Sequence, residues 1–283
     1  MVEEKLLSSS ETARRSFLKY AATAIIAGVV AGVGGYSLGR STGEAEASTK
    51  IAELQSQVED LRKKIPPPVE IQEVTINPAK TVLIIVDMQN DFCKVGGALG
   101  PQDKAGEQAI TNVALKIREL KERGKAKGMK VIYTQDYHYE NDPEFKIWGP
   151  HCVVKKENGV DKPTWGQLEI PELTPDPDDI VVHKGGKTVS YDCFYATYKP
   201  GEMDEILAKL GVDTCIVTGT VSNICVNAAV LGCAQRMPMG HTIVPVDGIV
   251  SLPFFPWTPA TELHHWNAIY KVVISETGKI KFA

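Results

Sequence analysis

Residues 70–283 are predicted to form an α/β domain: a doubly wound, mostly parallel sheet of about six strands, flanked by helices in three α/β/α layers. Two observations predict it. Continuous apolar runs of strand length recur along this stretch, such as Thr81 to Val86 (TVLIIV) and Thr214 to Thr218 (TCIVT), and strands apolar on both faces belong to parallel sheets covered on both sides. Amphipathic segments of helical length separate these runs, which is the alternation expected of βαβ units.

Taken in order, strand 81–86 precedes a helix over 104–123, whose Ile110, Val113, Ile117 and Leu120 share one face. Lys130 to Thr134 (KVIYT) and Asp179 to Val182 (DIVV) are the next strands. A helix over 202–210 leads to strand 214–218, and a helix over 223–235 leads to strand 241–246. A last helix over 260–269 precedes Lys271 to Ile274 (KVVI).

The segment before residue 70 reads differently. Arg14 and Arg15 stand ahead of Phe17-Leu18-Lys19, and no charge occurs from Tyr20 to Gly39. This pattern resembles a twin-arginine export signal. The glycines at 28, 32, 34, 35 and 39 count against a core helix, because each costs about 1 kcal/mol relative to alanine. Residues 1–43 are therefore expected to be an export signal or a membrane anchor, with the protein extracytoplasmic or membrane-attached. Residues 44–69 are expected to be an amphipathic helix, with Ile51, Leu54, Val58, Leu61 and Ile65 on one stripe, followed by a Pro66-Pro67-Pro68 spacer. A stalk, a dimerising segment and a helix packed on the domain all fit this pattern.

Composition is that of an ordinary folded domain, with 43% hydrophobic and 23% charged residues. A net charge of −4 supplies no positive field for nucleic acid, so no such partner is expected. The six cysteines, at 93, 152, 193, 215, 225 and 233, include no CxxC pair. Their spacing fits neither a zinc ribbon nor a disulfide framework.

Ligands of doubly wound sheets bind beyond the carboxyl ends of the strands. The residues there are Asp87, then Asp136 and His138, then Lys184, then the run Gly219 to Cys225. Cys225 falls in the first turn of a predicted helix, where free N–H groups favour thiolate. Asp87 can accept its proton and return it to a departing amine, and Lys184 can stabilise the Asp87 carboxylate. Each residue alone has a bland reading: a packed cysteine, a surface lysine, a capping aspartate. Their convergence at successive strand ends makes the combination informative. Asp136 and His138, joined by His151, make a two-His, one-carboxylate set suited to Zn2+, with Fe2+ or Mn2+ as alternatives. His183, His241, His264 and His265 lack matching partners and read as structural.

These residues resemble the isochorismatase-like cysteine hydrolases, over about residues 78–275, and within them the nicotinamidase branch. The resemblance rests on Asp87-Met88-Gln89-Asn90-Asp91-Phe92, Gly96-Gly97-Ala98-Leu99, Lys184-Gly185 and Ser222-Asn223-Ile224-Cys225-Val226. It implies Asp87, Lys184 and Cys225 as a catalytic triad, a cis peptide between Thr220 and Val221, and an oxyanion hole from the N–H groups of Val221 and Cys225. The branch is suggested by Asp136-Tyr137-His138 and by Trp148-Gly149-Pro150-His151-Cys152. That branch implies a metal holding a pyridine nitrogen, with Phe92, Trp148 and Tyr191 in the substrate pocket.

The expected function is amide hydrolysis of a small carboxamide such as nicotinamide, releasing ammonia through a thioester. One alternative keeps fold and triad but acts without metal on another small amide, ureide or vinyl-ether acid. A second is a membrane-tethered binding protein without catalysis. The expected partner is a small-molecule amide, and a homo-oligomer is the expected assembly.

Overall fold

Six parallel strands stand side by side in an order that is not their order along the chain. In the computed structural model, which describes residues 40–64, 68–186, 189–251 and 259–283, the chain divides into two units, Met1–Pro67 and Pro68–Ala283. The first contains α1 (Arg40–Lys64), on which Ile51 and Leu54 are half-buried and Val58 is exposed. Of residues 1–43, read as an export signal or membrane anchor, 1–39 lie outside the described part. Among the described residues, no helix is long and apolar enough to cross a membrane.

The second unit begins with β1 (Val74–Ile76) and β2 (Thr81–Val86), then α2 (Asn90–Cys93), α3 (Lys104–Lys125) and β3 (Lys130–Asp136). An insert follows, with β4 (His138–Tyr139), α4 (Phe145–Trp148), β5 (Val153–Glu157) and β6 (Val160–Pro163). The chain continues through β7 (Ile180–Lys184), α5 (Glu202–Leu210), β8 (Thr214–Thr220), α6 (Cys225–Ala234), β9 (Thr242–Pro245) and β10 (Ile249–Val250). It ends with α7 (Pro259–Tyr270), β11 (Val273–Ser275) and β12 (Ile280–Phe282). The main sheet runs β11-β9-β8-β2-β3-β7, all parallel, and short β10 pairs with the end of β8. The chain thus winds outward from β2 in one direction, then returns to β2's other side and winds the opposite way. The reversal falls between β2 and β8, where a crevice opens in such folds.

Each strand buries both faces, as the unbroken apolar runs require. Leu83, Ile85, Val131, Tyr133 and Ile216 pack under Ile110, Ala114, Ile117 and Leu120 of α3. Val82, Ile84, Ile132, Cys215 and Val217 pack under Met203 and Leu207 of α5, Val226 and Val230 of α6, and Trp266 of α7. The predicted doubly wound sheet of three layers is what the structure shows, with two additions. One is the parallel pair β1–β12. The other is the small sheet β4-β5-β6. Its β5–β6 hairpin turns at Asn158-Gly159, both at positive φ (52° and 80°). Asn-Gly between two alternating runs is a strong hairpin signal, and it stands in the sequence.

Boundaries moved where chemistry is concentrated. β3 and β7 extend to Asp136 and Lys184, beyond the expected 134 and 182, so both residues are the last of their strands. The helix expected over 223–235 starts only at Cys225. At the centre of the sheet Gly219, at φ 113°, presses its Cα against the Val86 backbone, and a Cβ there has no room. Gly219→Ala is expected to lower stability by about 1–3 kcal/mol through overpacking, more if the left-handed backbone must also adjust. Equilibrium urea unfolding checks this; a wild-type midpoint would show that β2 and β8 part without cost.

Candidate active site

The crevice at the β2/β8 reversal is assembled by the motif residues through backbone hydrogen bonds. Gln89 bridges two strand ends, donating from Nε2 to Asp136 O (2.8 Å) and accepting on Oε1 from Asp136 N (2.8 Å). Asp91 accepts from Cys152 N (2.7 Å) and from Ala98 N (2.9 Å), which fixes both the turn after His151 and the glycine loop. These two side chains act as struts.

Asp87, the first residue past β2, adopts φ 50°, a left-handed conformation that aspartate tolerates better than most residues. Its Oδ1 accepts from Thr134 Oγ1 (2.7 Å) and its Oδ2 from Lys184 Nζ (2.6 Å). The same ammonium lies 2.9 Å from Asp136 Oδ1 and donates to Ser190 O (2.7 Å). All three charged groups are buried. Cys225 Sγ lies within 4.8 Å of carboxylate oxygens of both Asp87 and Asp136. Sulfur, carboxylate and ammonium, expected from three separate strand ends, therefore share one site.

Burial pushes the Asp87 carboxyl up to about 6, with Asp136 adding to the rise and Lys184 opposing it. Burial also works against the Lys184 charge, but Asp136 and Asp87 outweigh it and hold that pKa well above the lysine range. The Cys225 thiol goes the other way from expectation. Burial raises its pKa well above the usual thiol value, against the pull of Lys184. The helix N-terminus does not make it a thiolate, because desolvation and two nearby carboxylates exceed the dipole's effect. The resting group is a thiol beside a proton acceptor.

The peptide bond between Thr220 and Val221 is cis, as the resemblance implied. In this turn Ile224 N and Val226 N both donate to Val221 O (3.0 and 3.1 Å). The N–H groups of Val221 and Cys225 are not taken up by the turn's own hydrogen bonds. Both residues line the pocket.

Asp136, His138 and His151 come together as the spacing suggested, and Glu144 joins them. One ligand atom from each of the four lies within 4.8 Å of every other, and all four residues are buried. Nε2 of His138 and of His151 approach Asp136 Oδ2 at 3.7 and 3.6 Å. His151 is oriented by a contact of its Nδ1 with Gly149 O (2.8 Å). His138 Nε2 is buried without an aligned hydrogen-bond partner. Burial lowers the His138 pKa, but Asp136, Asp142 and Glu144 overcome this and push it up to about 9, so the cluster draws a positive charge. Two neutral imidazoles and two carboxylates suit a divalent metal of the zinc type. The residues present fit that group.

Glu144 was not among the residues singled out in the sequence. It stands eight residues after Asp136 in a bend with no helical or strand period, so spacing alone did not mark it. Ser190 was also missed; its Oγ donates to Asp136 (3.0 Å) and its N–H to Glu144 (2.7 Å).

A small pocket opens onto both groups. Phe92, Trp148 and Tyr191 line it as expected, and Leu99 and Ile224 complete the apolar wall. Trp148 Nε1 donates to Tyr191 Oη (2.8 Å), locking the two rings together. Gly149, between Trp148 and His151, has φ 73°, a conformation glycine adopts without strain.

Among the described residues a third acidic group, Asp176, Asp178 and Asp179, also has a metal-like spacing. There Lys125 Nζ already contacts all three carboxylates at 2.7–2.8 Å and Lys121 Nζ two of them, so the group is an ion cluster that ties this loop to α3.

Residues 81–262 match the isochorismatase domain. Among curated proteins the chain is similar to the ureidoacrylate amidohydrolase RutB of Agrobacterium fabrum, 27% identical over 178 residues, covering 57% of this chain and 73% of that protein. The RutB of Methylorubrum extorquens is 30% identical over 176 residues, covering 57% and 66%. Among solved structures, the N-carbamoylsarcosine amidase of Thermoplasma acidophilum superposes with a TM-score of 0.53 at 26% identity, covering 70% of this chain and 96% of that one. The pyrazinamidase of Pyrococcus horikoshii, solved in complex with zinc, gives 0.55 at 23% identity, covering 70% and 99%; that likeness is one of fold.

Replacing Lys184 by methionine leaves Asp87 and Asp136 buried without their cation. Loss of one partner from such a cluster is expected to cost about 3–5 kcal/mol. Chemical denaturation of Lys184→Met measures it; an unchanged unfolding free energy would mean that the two carboxylates find other compensation.

Proposed function

Because the chain belongs to the isochorismatase domain family, and is thereby an isochorismatase-like hydrolase, we propose that it is a metal-assisted cysteine amidohydrolase converting a small, uncharged carboxamide such as nicotinamide to the acid and ammonia. The observation that carries this reading is the adjacency of two groups on one small pocket: Cys225 with its proton acceptor, and the Asp136, His138, Glu144, His151 cluster.

Cys225 Sγ attacks the carboxamide carbon as its proton passes to Asp87. The oxygen takes the negative charge and is held by the N–H groups of Val221 and Cys225. Collapse breaks the C–N bond, and Asp87 returns the proton to the leaving nitrogen, which departs as ammonia. Water, deprotonated by Asp87, then cleaves the thioester to give the acid and the free thiol. Lys184 keeps the proton-accepting carboxylate in place and offsets the second carboxylate, Asp136. Asp136, His138, Glu144 and His151 would hold the metal, which when bound supplies a Lewis-acidic anchor for a ring nitrogen or a water. Phe92, Trp148 and Tyr191 would pack on the ring faces.

A second reading is favoured by the curated relatives, ureidoacrylate amidohydrolases, whose name denotes a ureide bearing a carboxylate. The pocket argues for the uncharged amide. Its described lining holds Asp136 and Glu144 and no lysine or arginine, so apart from the metal that the cluster would hold, a carboxylate on the substrate meets no side-chain cation.

Cys225→Ala is expected to abolish ammonia release from nicotinamide while leaving metal content unchanged; persisting turnover would remove the cysteine from the mechanism. Stripping the metal with a chelator is expected to weaken nicotinamide binding at least tenfold, read by calorimetry. Binding that survives metal removal, together with faster hydrolysis of a carboxylate-bearing ureide than of nicotinamide, would transfer the assignment to the second reading.

A further inference from the structure

Asp142 is a buried carboxylate that lines no part of the pocket described above. It lies in the bend between β4 and α4, and it reaches three parts of the site at once. Its Oδ1 accepts from Glu144 N (3.0 Å), and its Oδ2 accepts from Gly186 N (2.9 Å). The same Oδ2 lies 3.1 Å from His138 Nδ1, off the line of an ideal hydrogen bond, since Nδ1 has no aligned partner. One side chain thus meets an imidazole of the four-residue cluster, the backbone of a carboxylate in that cluster, and the loop two residues beyond Lys184.

Burying a carboxylate is costly unless its oxygens are satisfied. Here two backbone N–H groups satisfy them and an imidazole faces one of them, and each of those groups belongs to a segment that carries chemistry. An imidazole that offers Nε2 to a metal carries its proton on Nδ1. A carboxylate facing that proton fixes the tautomer and the ring rotation, and makes the nitrogen a better ligand.

We propose that Asp142 is a positioning residue that ties His138 and Glu144 to the Lys184 loop, holding the metal ligands and the triad lysine in register. This rests on the metal reading above. Asp142 contacts neither the substrate pocket nor Cys225, and it acts through the groups it holds. Asn in its place keeps the shape but loses the charge and one acceptor oxygen.

Zn2+ binding to the full chain, measured by competition with a chromophoric chelator, tests this for wild type, D142N and D142A. The Co2+ visible absorption spectrum of each is recorded alongside, because it reports ligand geometry. D142N is expected to bind Zn2+ about 10–100-fold more weakly and to change the Co2+ band, with a thermal midpoint close to wild type. D142A is expected to lose at least as much affinity; should it not fold, the isosteric D142N carries the test. A folded D142N with wild-type Zn2+ affinity and an unchanged Co2+ spectrum overturns the role of Asp142 and leaves the metal site standing. A wild-type chain that binds neither ion overturns both.

Discussion

The ammonium of Lys184, held 2.6 Å from Asp87 and 2.9 Å from Asp136 inside the protein, is the constraint on which the rest of the site depends. Two carboxylates at this depth repel each other and lose their hydration. Without the lysine, at least one would take up a proton. With it, Asp136 stays anionic and faces the two histidines, and Asp87, at about 6, is placed to take the Cys225 proton in the proposed mechanism. One buried cation therefore serves the nucleophile and the metal-type cluster together. The same sharing explains why Asp136 belongs to both groupings of potential ligand atoms.

The fold supplies the means of bringing these charges together. Parallel strands all end on the same side, and the reversal of winding between β2 and β8 leaves a gap there that no crossover helix covers. Asp87 and the nucleophile turn flank the gap, and Asp136 and Lys184 arrive from the next two strands. Direct pairing of β3 with β7, in register at Asp136 and Lys184, sets the lysine beside its second carboxylate. The insert between β3 and β7 then contributes what the strands cannot: His151, Glu144 and Trp148, while Phe92 comes from α2 and Tyr191 from the loop after β7. Gln89 and Asp91 bolt this insert to the end of β2 through the backbone, so residues of the opening motif that face no substrate still determine the geometry of the pocket.

Desolvation governs the protonation state of the nucleophile. The beginning of a helix ordinarily favours thiolate, and that expectation is sound for an exposed cysteine. Cys225 is buried next to two carboxylates, and both effects favour the neutral thiol. In the proposed mechanism activation comes from proton transfer to Asp87, whose carboxyl, not the thiol, is shifted toward neutral pH.

Apolar periodicity alone determined the doubly wound sheet, because runs buried on both faces have few other ways to fold. The strand-end rule then led to Asp87, Asp136, Lys184 and Cys225, since a parallel sheet collects its strand ends whatever the loops do. Tertiary structure decided the remainder. Glu144 and Ser190 join the site from irregular segments with no repeating pattern, so their positions follow from the bend at Asp142 and the loop after Lys184. The charge state of Cys225 likewise depends on burial and on neighbours 138 and 89 residues distant in the chain, quantities that exist only once the chain has folded.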